Sequence, residues 1–264
     1  MEIKDEASRI DSPDKDIKIS PPLTENAGFD FSKYSISEKI GIFGIGGAGC
    51  NIIDFIYKKF KFDNYVSLYA VNTDAQSLQR TDSNISRIIL GKKFLLGRGS
   101  GGNPDIGANA VSENVDEFKE IFKKLDFIFL IAGLGKGTGS GSTGEIAKIA
   151  KEMNKLVVCY LTKPSFEFDG EESYNNSCKY SNYIYSIANS SNIILNSRVL
   201  QLNGELIDFT GGYEIINDLI GCSIKLLVDI INKPAKINLD FNDISNFFKK
   251  NNKFNILSFE IPNE

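Results

Sequence analysis

The chain has 264 residues, 42% of them hydrophobic and 24% charged, enough apolar material for one substantial core and too balanced for a disordered or fibrous protein. With 30 basic and 34 acidic residues the net charge is −4, which offers no global attraction toward nucleic acid or an anionic membrane. No apolar run approaches the roughly 20 residues that cross a bilayer, and the N-terminal stretch is too acidic for a signal or transit peptide, so a cytoplasmic protein without membrane insertion is expected. Histidine is absent, which removes His-based zinc sites, a His general base and the Ser-His-Asp triad. Four cysteines, Cys50, Cys159, Cys178 and Cys222, show no paired spacing. Any catalysis must then rest on carboxylates, backbone amides or a carboxylate-held metal.

Residues 1–36 mix charged residues, serine and a proline pair with few large apolar side chains, and read as a tail that cannot offset the cost of ordering its backbone. From Lys39 onward short β-like runs alternate with helical patterns, the signature of an α/β fold with parallel strands linked by crossover helices. Predicted strands are Lys39–Gly44, Ser67–Val71, Phe127–Ala132, Leu156–Leu161 and Asn192–Leu195. Phe127 to Ile131 is apolar without alternation, as a central strand covered on both faces requires. Between the strands, Ile53, Ile56, Tyr57 and Phe60 mark one helix face and Phe118, Ile121, Phe122 and Leu125 another, both at helical spacing. Pro104 suits the first turn of that second helix, with Asn103 as its cap. A long helical pattern through Ile216, Leu219, Ile220, Ser223, Leu227 and Ile230 runs until Pro234 and is expected to be buried along most of its length. A short amphipathic helix around Ile244–Phe248 and a strand-like run at Phe254–Ile261 follow.

Three glycine-rich segments punctuate this pattern. Gly44-Ile45-Gly46-Gly47-Ala48-Gly49-Cys50-Asn51 follows the first strand, enters a helix and satisfies GxGxxG, which suits phosphate binding by backbone amides at a helix N-terminus. The second, Gly133-Leu134-Gly135-Lys136-Gly137-Thr138-Gly139-Ser140-Gly141, follows the central strand. The third is Gly97-Arg98-Gly99-Ser100-Gly101-Gly102-Asn103-Pro104. One such loop is compatible with a plain βα turn, but three at one sheet edge are expected to surround a polyphosphate with amide donors and the hydroxyls of Thr138 and Ser140. A Rossmann dehydrogenase would need an acidic residue about 20 positions after the first loop; Asn72-Thr73-Asp74 comes somewhat late, and the second loop would have no role. No GxxxxGK[ST] frame exists, so a P-loop is excluded.

These residues resemble the FtsZ family of bacterial cell-division GTPases in the tubulin superfamily. Gly133–Gly141 is similar to its GGGTGTG signature, and the likeness extends through Ala70-Val71-Asn72-Thr73-Asp74-Ala75-Gln76, Gly101-Gly102-Asn103-Pro104 and Asn238-Leu239-Asp240-Phe241-Asn242-Asp243, over about residues 38–261 in order. The resemblance implies a Rossmann-like parallel-sheet GTP-binding domain at residues 37–232, with 233–264 carrying a synergy loop, a short helix and a remnant of a second domain. It implies GTP or GDP bound with Mg²⁺. Gly47, Ala48, Gly49, Cys50 and Asn51 would hold phosphates, and Gly137, Thr138 and Gly139 would wrap the β-phosphate region. Ser100, Gly101, Gly102 and Asn103 would face the γ-phosphate, and Asn72 and Asp74 would lie near the phosphates and magnesium. Tyr213 would stack on guanine, Asn217 or its neighbour Asp218 would pair with the base edge, and Asp169 and Ser173 fall in the ribose-contact stretch. Asn238, Asp240 and Asp243 would complete the active site of the next subunit in a head-to-tail filament.

Four departures from the family pattern stand out. Lys136 replaces a glycine of the signature loop, Asp169 stands for Glu, Ser173 stands where Arg is usual, and the chain stops at about the first strand of the family's second domain. The expected function is a GTP-hydrolysing cytoskeletal protein of cell division, self-associating or associating with full-length FtsZ and possible other division proteins, in the cytoplasm at the division site. The alternative is a GTP-binding interaction protein that docks on FtsZ or itself with little hydrolysis. No nucleic-acid partner is expected.

Overall fold

The computed structural model describes residues 38–200, 209–232 and 241–250. Among them six strands form one parallel sheet: β1 (Ile40–Ile45), β2 (Val66–Asn72), β3 (Ser86–Ile89), β4 (Phe127–Gly133), β5 (Leu156–Lys163) and β6 (Ser190–Leu195). Their spatial order is β3-β2-β1-β4-β5-β6, the doubly wound arrangement in which the chain starts at the centre and builds outward in both directions. β3 is absent from the sequence-based expectation. It is four residues long, pairs only with β2, and exposes Ser86 and Arg87, so its edge position needs no apolar run.

The helices are α1 (Gly46–Lys59), α2 (Ala75–Arg80), α3 (Lys92–Leu95), α4 (Pro104–Ala110), α5 (Val115–Phe122), α6 (Gly137–Glu152), α7 (Phe166–Asp169), α8 (Glu171–Ile187), α9 (Asn196–Leu200), α10 (Phe209–Asn232) and α11 (Phe241–Lys250). The single helix expected from Pro104 to Leu125 is two, separated by a 3-10 turn at Val111–Asn114. Asn114 sits there because its side-chain amide donates to the Ile89 carbonyl (3.1 Å) and to Glu117 (2.7 Å), which ties the turn to the end of β3.

Strand residues alternate between two apolar layers, as the period of two requires. Ile40, Ile42, Phe127, Phe129, Ile131, Leu156, Val158 and Tyr160 join the layer under α1 and α10. Phe43, Ile45, Ile128, Leu130, Ala132, Val157, Cys159 and Leu161 join the layer under α5 and α6. β4 is thus covered on both faces, as its unbroken apolar run implies.

α10 is buried along most of its length, as expected, but on one face. Ile216, Ile220, Ile224, Leu227 and Val228 are buried, while Leu219 and Ile230 are 46% and 38% exposed, because residues four apart line only one face. Its last residue, Asn232, accepts from the Glu38 amide (2.8 Å) and donates to the Glu38 carbonyl (3.1 Å), clamping the helix end to the approach of β1. α11 is amphipathic: Ile244 and Phe248 are buried, and Phe248 meets Phe127 edge-on at 5.8 Å. The tail at 1–36 and the strand-like Phe254–Ile261 lie outside the described residues.

Candidate functional site

In a doubly wound sheet the loops leaving neighbouring central strands diverge and open a crevice at the carboxyl edge. β1 and β4 are that pair here, and the first two glycine segments leave these two strands. The crevice is a cavity of about 610 Å³ that also receives the third segment and the start of α10.

The first segment passes from β1 into α1 without a loop. Its glycines divide by task. A Cβ on Gly44 would overlap the Gly49 carbonyl, and one on Gly49 would lie 2.5 Å from the Ile131 carbonyl, so this pair lets α1 press onto the sheet. Gly46 has φ +73° and meets Gly139 of the second segment. Gly47 has no atom within 4 Å of its would-be Cβ and opens on the cavity with Ala48 and Asn51. Gly49 and Cys50, expected at the phosphates, do not line it. The Cys50 thiol points inward toward the carbonyls of Gly44 (3.7 Å) and Val71 (3.8 Å), and burial pushes its pKa up to about 12.

The second segment is held by its own hydroxyls. Ser140, expected at the polyphosphate, is fully buried and accepts from the Gly135 amide at 2.8 Å, so it shapes the loop instead. Thr138 does line the cavity, and its hydroxyl pairs with that of Thr73 (2.7 Å) and lies 3.3 Å from Ser100 Oγ. Gly137 and Gly139 line the wall too. A Cβ on Gly137 would overlap Ser100 Oγ, which explains why the second and third segments can meet.

In the third segment Gly99, Gly101 and Gly102 all have positive φ, the region where glycine alone is unstrained. Added Cβ atoms at Gly101 and Gly102 would meet nothing within 4 Å, and both residues and Ser100 face the cavity. Asn103 does not. Its side chain accepts from the amides of Asp105 (2.9 Å) and Ile106 (3.4 Å) and caps α4. Asn72 and Asp74 stand beside this segment at the end of β2. Asn72 Oδ1 accepts from the amides of Thr73 (2.8 Å) and Asp74 (3.3 Å). Asp74 accepts from Ser77 Oγ (2.7 Å) and the Gln76 amide (3.0 Å), and the Ser77 hydroxyl is the main reason its carboxyl is held below the usual range.

At the other end stand Tyr213 and Asn217 of α10, with Asp169 and Ser173. Burial, then the Asp169 charge, raise the Tyr213 hydroxyl. Asp218 is turned away and pairs with Lys59 at 2.5 Å, leaving Asn217 as the polar group of that turn on the cavity. Thr73, Thr162, Pro164, Asn196 and Ile216 also line it and are absent from the sequence-based list. Asn196 Oδ1 is buried without a hydrogen-bond partner.

Asp243 lies in the first turn of α11, exposed and away from the cavity lining; Asn238 and Asp240 lie outside the described residues. Among the described residues no group of three or more Cys, Asp or Glu is placed to hold a metal ion, and no helix is long and apolar enough to cross a membrane.

A parallel doubly wound sheet whose switch-point crevice is walled by glycine amides and two helix starts has the architecture of nucleotide-binding α/β domains. A profile of the Tubulin/FtsZ family, GTPase domain, matches residues 39–204, and the chain belongs to that family. It is 33% identical over 208 residues to the cell division protein FtsZ of Aquifex aeolicus, covering 78% of this chain and 55% of the relative. It is 34% identical over 206 residues to that of Helicobacter pylori, covering 78% and 53%. The chain therefore spans about half the length of these relatives. An empty FtsZ dimer of M. jannaschii superposes with a TM-score of 0.76 at 29% identity, over 84% of this chain and 64% of that one. The GTPγS-bound protofilament of CetZ2 from Haloferax volcanii shares the fold, with a TM-score of 0.63 at 24% identity over 75% and 60%.

Proposed function

We propose that this chain binds GTP and GDP in the switch-point cavity and hydrolyses GTP where two subunits meet head to tail. The observation that carries the reading is the cavity wall itself: α1 and α6 both begin there with no side-chain cap and no acidic residue in the first turn. Unpaired amides and the positive ends of two helix dipoles then face one space, which suits a phosphate chain. Gly47, Gly101 and Gly102 leave room for it where any side chain would intrude.

At the far end Tyr213 offers a half-exposed ring for a base to stack on, and Asn217 offers both donor and acceptor to the base edge. Asn196 Oδ1, a buried acceptor without a donor, fits an N–H of guanine or a ribose hydroxyl. Asp74 would be the protein ligand of Mg²⁺, which commonly takes one or two carboxylates and fills its remaining positions with water and phosphate oxygens. Bound there, the ion would neutralise charge on the transferring phosphoryl group.

For hydrolysis the chain has no histidine to serve as base, so a carboxylate must orient the attacking water. Asp243 is not among the residues lining its own cavity, and from the family resemblance the reading assigns Asn238, Asp240 and Asp243 to the cavity of a neighbouring subunit. A solved FtsZ dimer and a CetZ2 protofilament among similar structures support association of this kind. The role that follows is in the cytoskeleton of cell division.

The test is phosphate release from GTP against protein concentration. Specific activity should rise steeply with concentration. A mixture of Asp243→Ala with Gly47→Phe, the latter filling the nucleotide space, should recover part of the activity that each lacks alone. Nucleotide binding without release at any concentration would instead favour an interaction protein docking on FtsZ or itself.

A further inference from the structure

Residues 80–98 carry five cations, Arg80, Arg87, Lys92, Lys93 and Arg98, against the single carboxylate of Asp82, in a chain whose net charge is −4. All five are exposed, and none forms an ion pair with a described carboxylate. They sit on α2, β3, α3 and the turn after it. These elements enclose a second cavity of about 350 Å³, lined by Ala75, Leu78, Ile89 and Leu96 together with Arg87 and Lys92.

Two side chains of this wall are held in place at some cost or by fixed partners. Leu96 is the C-cap of α3 and has φ +53°, a position usually given to glycine or asparagine because a larger side chain strains the backbone there. Burial does not offset the strain, since Leu96 is 68% exposed. The next residue keeps the turn against α2: a Cβ on Gly97 would lie 2.9 Å from the Ala75 Cβ. Arg87 donates from Nε to Thr81 Oγ1 (3.2 Å) and from Nη2 to the Thr81 carbonyl, with N–H groups of its planar fork to spare.

β3 is also an edge. It pairs only with β2. The Leu90 amide donates to the Asn72 carbonyl of β2 (2.8 Å), so strand alternation turns the backbone groups of Arg87 and Ile89 to the open side. The Ile89 carbonyl accepts from Asn114, while the backbone of Arg87 is bonded to no described residue on that side. Charge on an edge strand deters unwanted pairing. That role accounts for Arg87, but not for an apolar cavity beside it or for a strained leucine held out into water.

We propose that the outer edge of β3 binds an acidic, extended segment of a partner protein. The segment adds as a strand beside β3, sets an apolar side chain into the cavity between Ile89 and Leu96, and places a carboxylate against Arg87. Arg87 and Ile89 are two residues apart on one face, about 6.6 Å along the strand, so the recognised pattern is an apolar residue with Asp or Glu two positions away. Main-chain bonds then supply affinity and the alternate side chains specificity, with Lys92 adding charge complementarity at the cavity wall. A flat anionic bilayer would meet the cations but leave the cavity and the open backbone unused. The proposal is independent of the nucleotide reading.

The experiment selects displayed random dodecapeptides for binding to the full chain. Enriched peptides are then titrated by fluorescence anisotropy with the parent, Arg87→Glu, Lys92→Glu, Leu96→Gly and, as control, Lys148→Glu. Lys148 is exposed on α6, outside this cavity lining. Leu96→Gly removes the side chain and relieves the backbone, so it should be at least as stable as the parent, and thermal unfolding checks the other variants. Enriched peptides should carry the acidic and apolar pair at a spacing of two and should bind more weakly as salt rises. Arg87→Glu, Lys92→Glu and Leu96→Gly should each weaken them about tenfold or more, and Lys148→Glu should follow the parent. No enriched sequence, enriched sequences without that pair, or peptides that bind Leu96→Gly and Lys92→Glu as well as the parent would overturn the proposal. Co-sedimentation of the parent, but not of Lys92→Glu, with vesicles of phosphatidylglycerol and phosphatidylcholine would overturn it in favour of a membrane surface. A dimer of the parent in analytical ultracentrifugation that is lost in Leu96→Gly would overturn it in favour of a second copy of the chain.

Discussion

At the scale of single residues, glycines of neighbouring segments answer to different constraints. A methyl on Gly141 would overlap the Pro104 carbonyl and lie 2.7 Å from the Ala108 nitrogen, where α4 and α6 cross. Gly141→Ala should therefore cost about 1–3 kcal/mol or more by forcing the helices apart, read as a shifted midpoint in denaturant unfolding. Gly101 has φ +60° and free space beyond it, so Gly101→Ala should cost only about 1–2 kcal/mol of backbone strain while weakening nucleotide binding. Equal losses of stability would mean that α4 and α6 are not in this contact. Lys136→Ser should behave in the opposite sense to both. It supplies the missing cap of α6 and removes an unfavourable charge, so the ligand-free protein should gain about 1 kcal/mol.

At the scale of elements, the helix starts around the cavity differ in their capping. α2 and α4 are capped by Asp74 and Asn103; α1 and α6 are not. Because the Asp74 carboxyl is held below its ordinary value by Ser77 and the first amides of α2, it stabilises the fold above the unfolded value of about 3.9. That contribution is lost as pH falls through the lower folded value. Ser77→Ala should therefore lower stability by about 0.5–1 kcal/mol at neutral pH, and the difference from the parent should shrink to nothing in acid; a gap independent of pH would contradict this role for Ser77. The capped and uncapped starts were only partly legible beforehand. Asn103 before Pro104 announces a cap, and the glycine spacing of the first two segments announces a strand-to-helix junction. Which glycine packs and which one opens depends on α1 lying against β4, a contact between residues far apart in the chain. Ser140 was misplaced for a local reason: its hydroxyl is spent on the Gly135 amide five residues back, which the residue types alone do not announce.

For the whole molecule, strand order decides where these pieces meet. The strands β1, β4 and β5 were readable as short β-like runs, and the two-sided burial of β4 from its unbroken apolar pattern. β3 was not, since an edge strand of four residues with a polar start carries no pattern. Thr162 and Asn196 escaped for a related reason: they sit at the ends of β5 and β6 without a local motif and reach the cavity only because β5 pairs with β4, and β6 with β5, in parallel. α10 then spans about 36 Å by its 24 residues at 1.5 Å each, from Tyr213 at the cavity to the Glu38–Asn232 clamp. One element thus joins the base end of the cavity to the opposite edge of the sheet.

The account turns on this cavity holding a guanine nucleotide, and parallel calorimetric titrations with GDP, GTP, ATP and NAD, repeated on Gly47→Phe, test that directly. Gly47 has ordinary φ and open space before it, so the larger side chain should fill the cavity without unfolding the domain. Saturable binding of GDP and GTP, tighter than that of ATP or NAD by at least about tenfold and abolished in a folded Gly47→Phe, is the predicted result. Equal binding of ATP, selective binding of NAD, or guanine-nucleotide binding that survives in Gly47→Phe would contradict it.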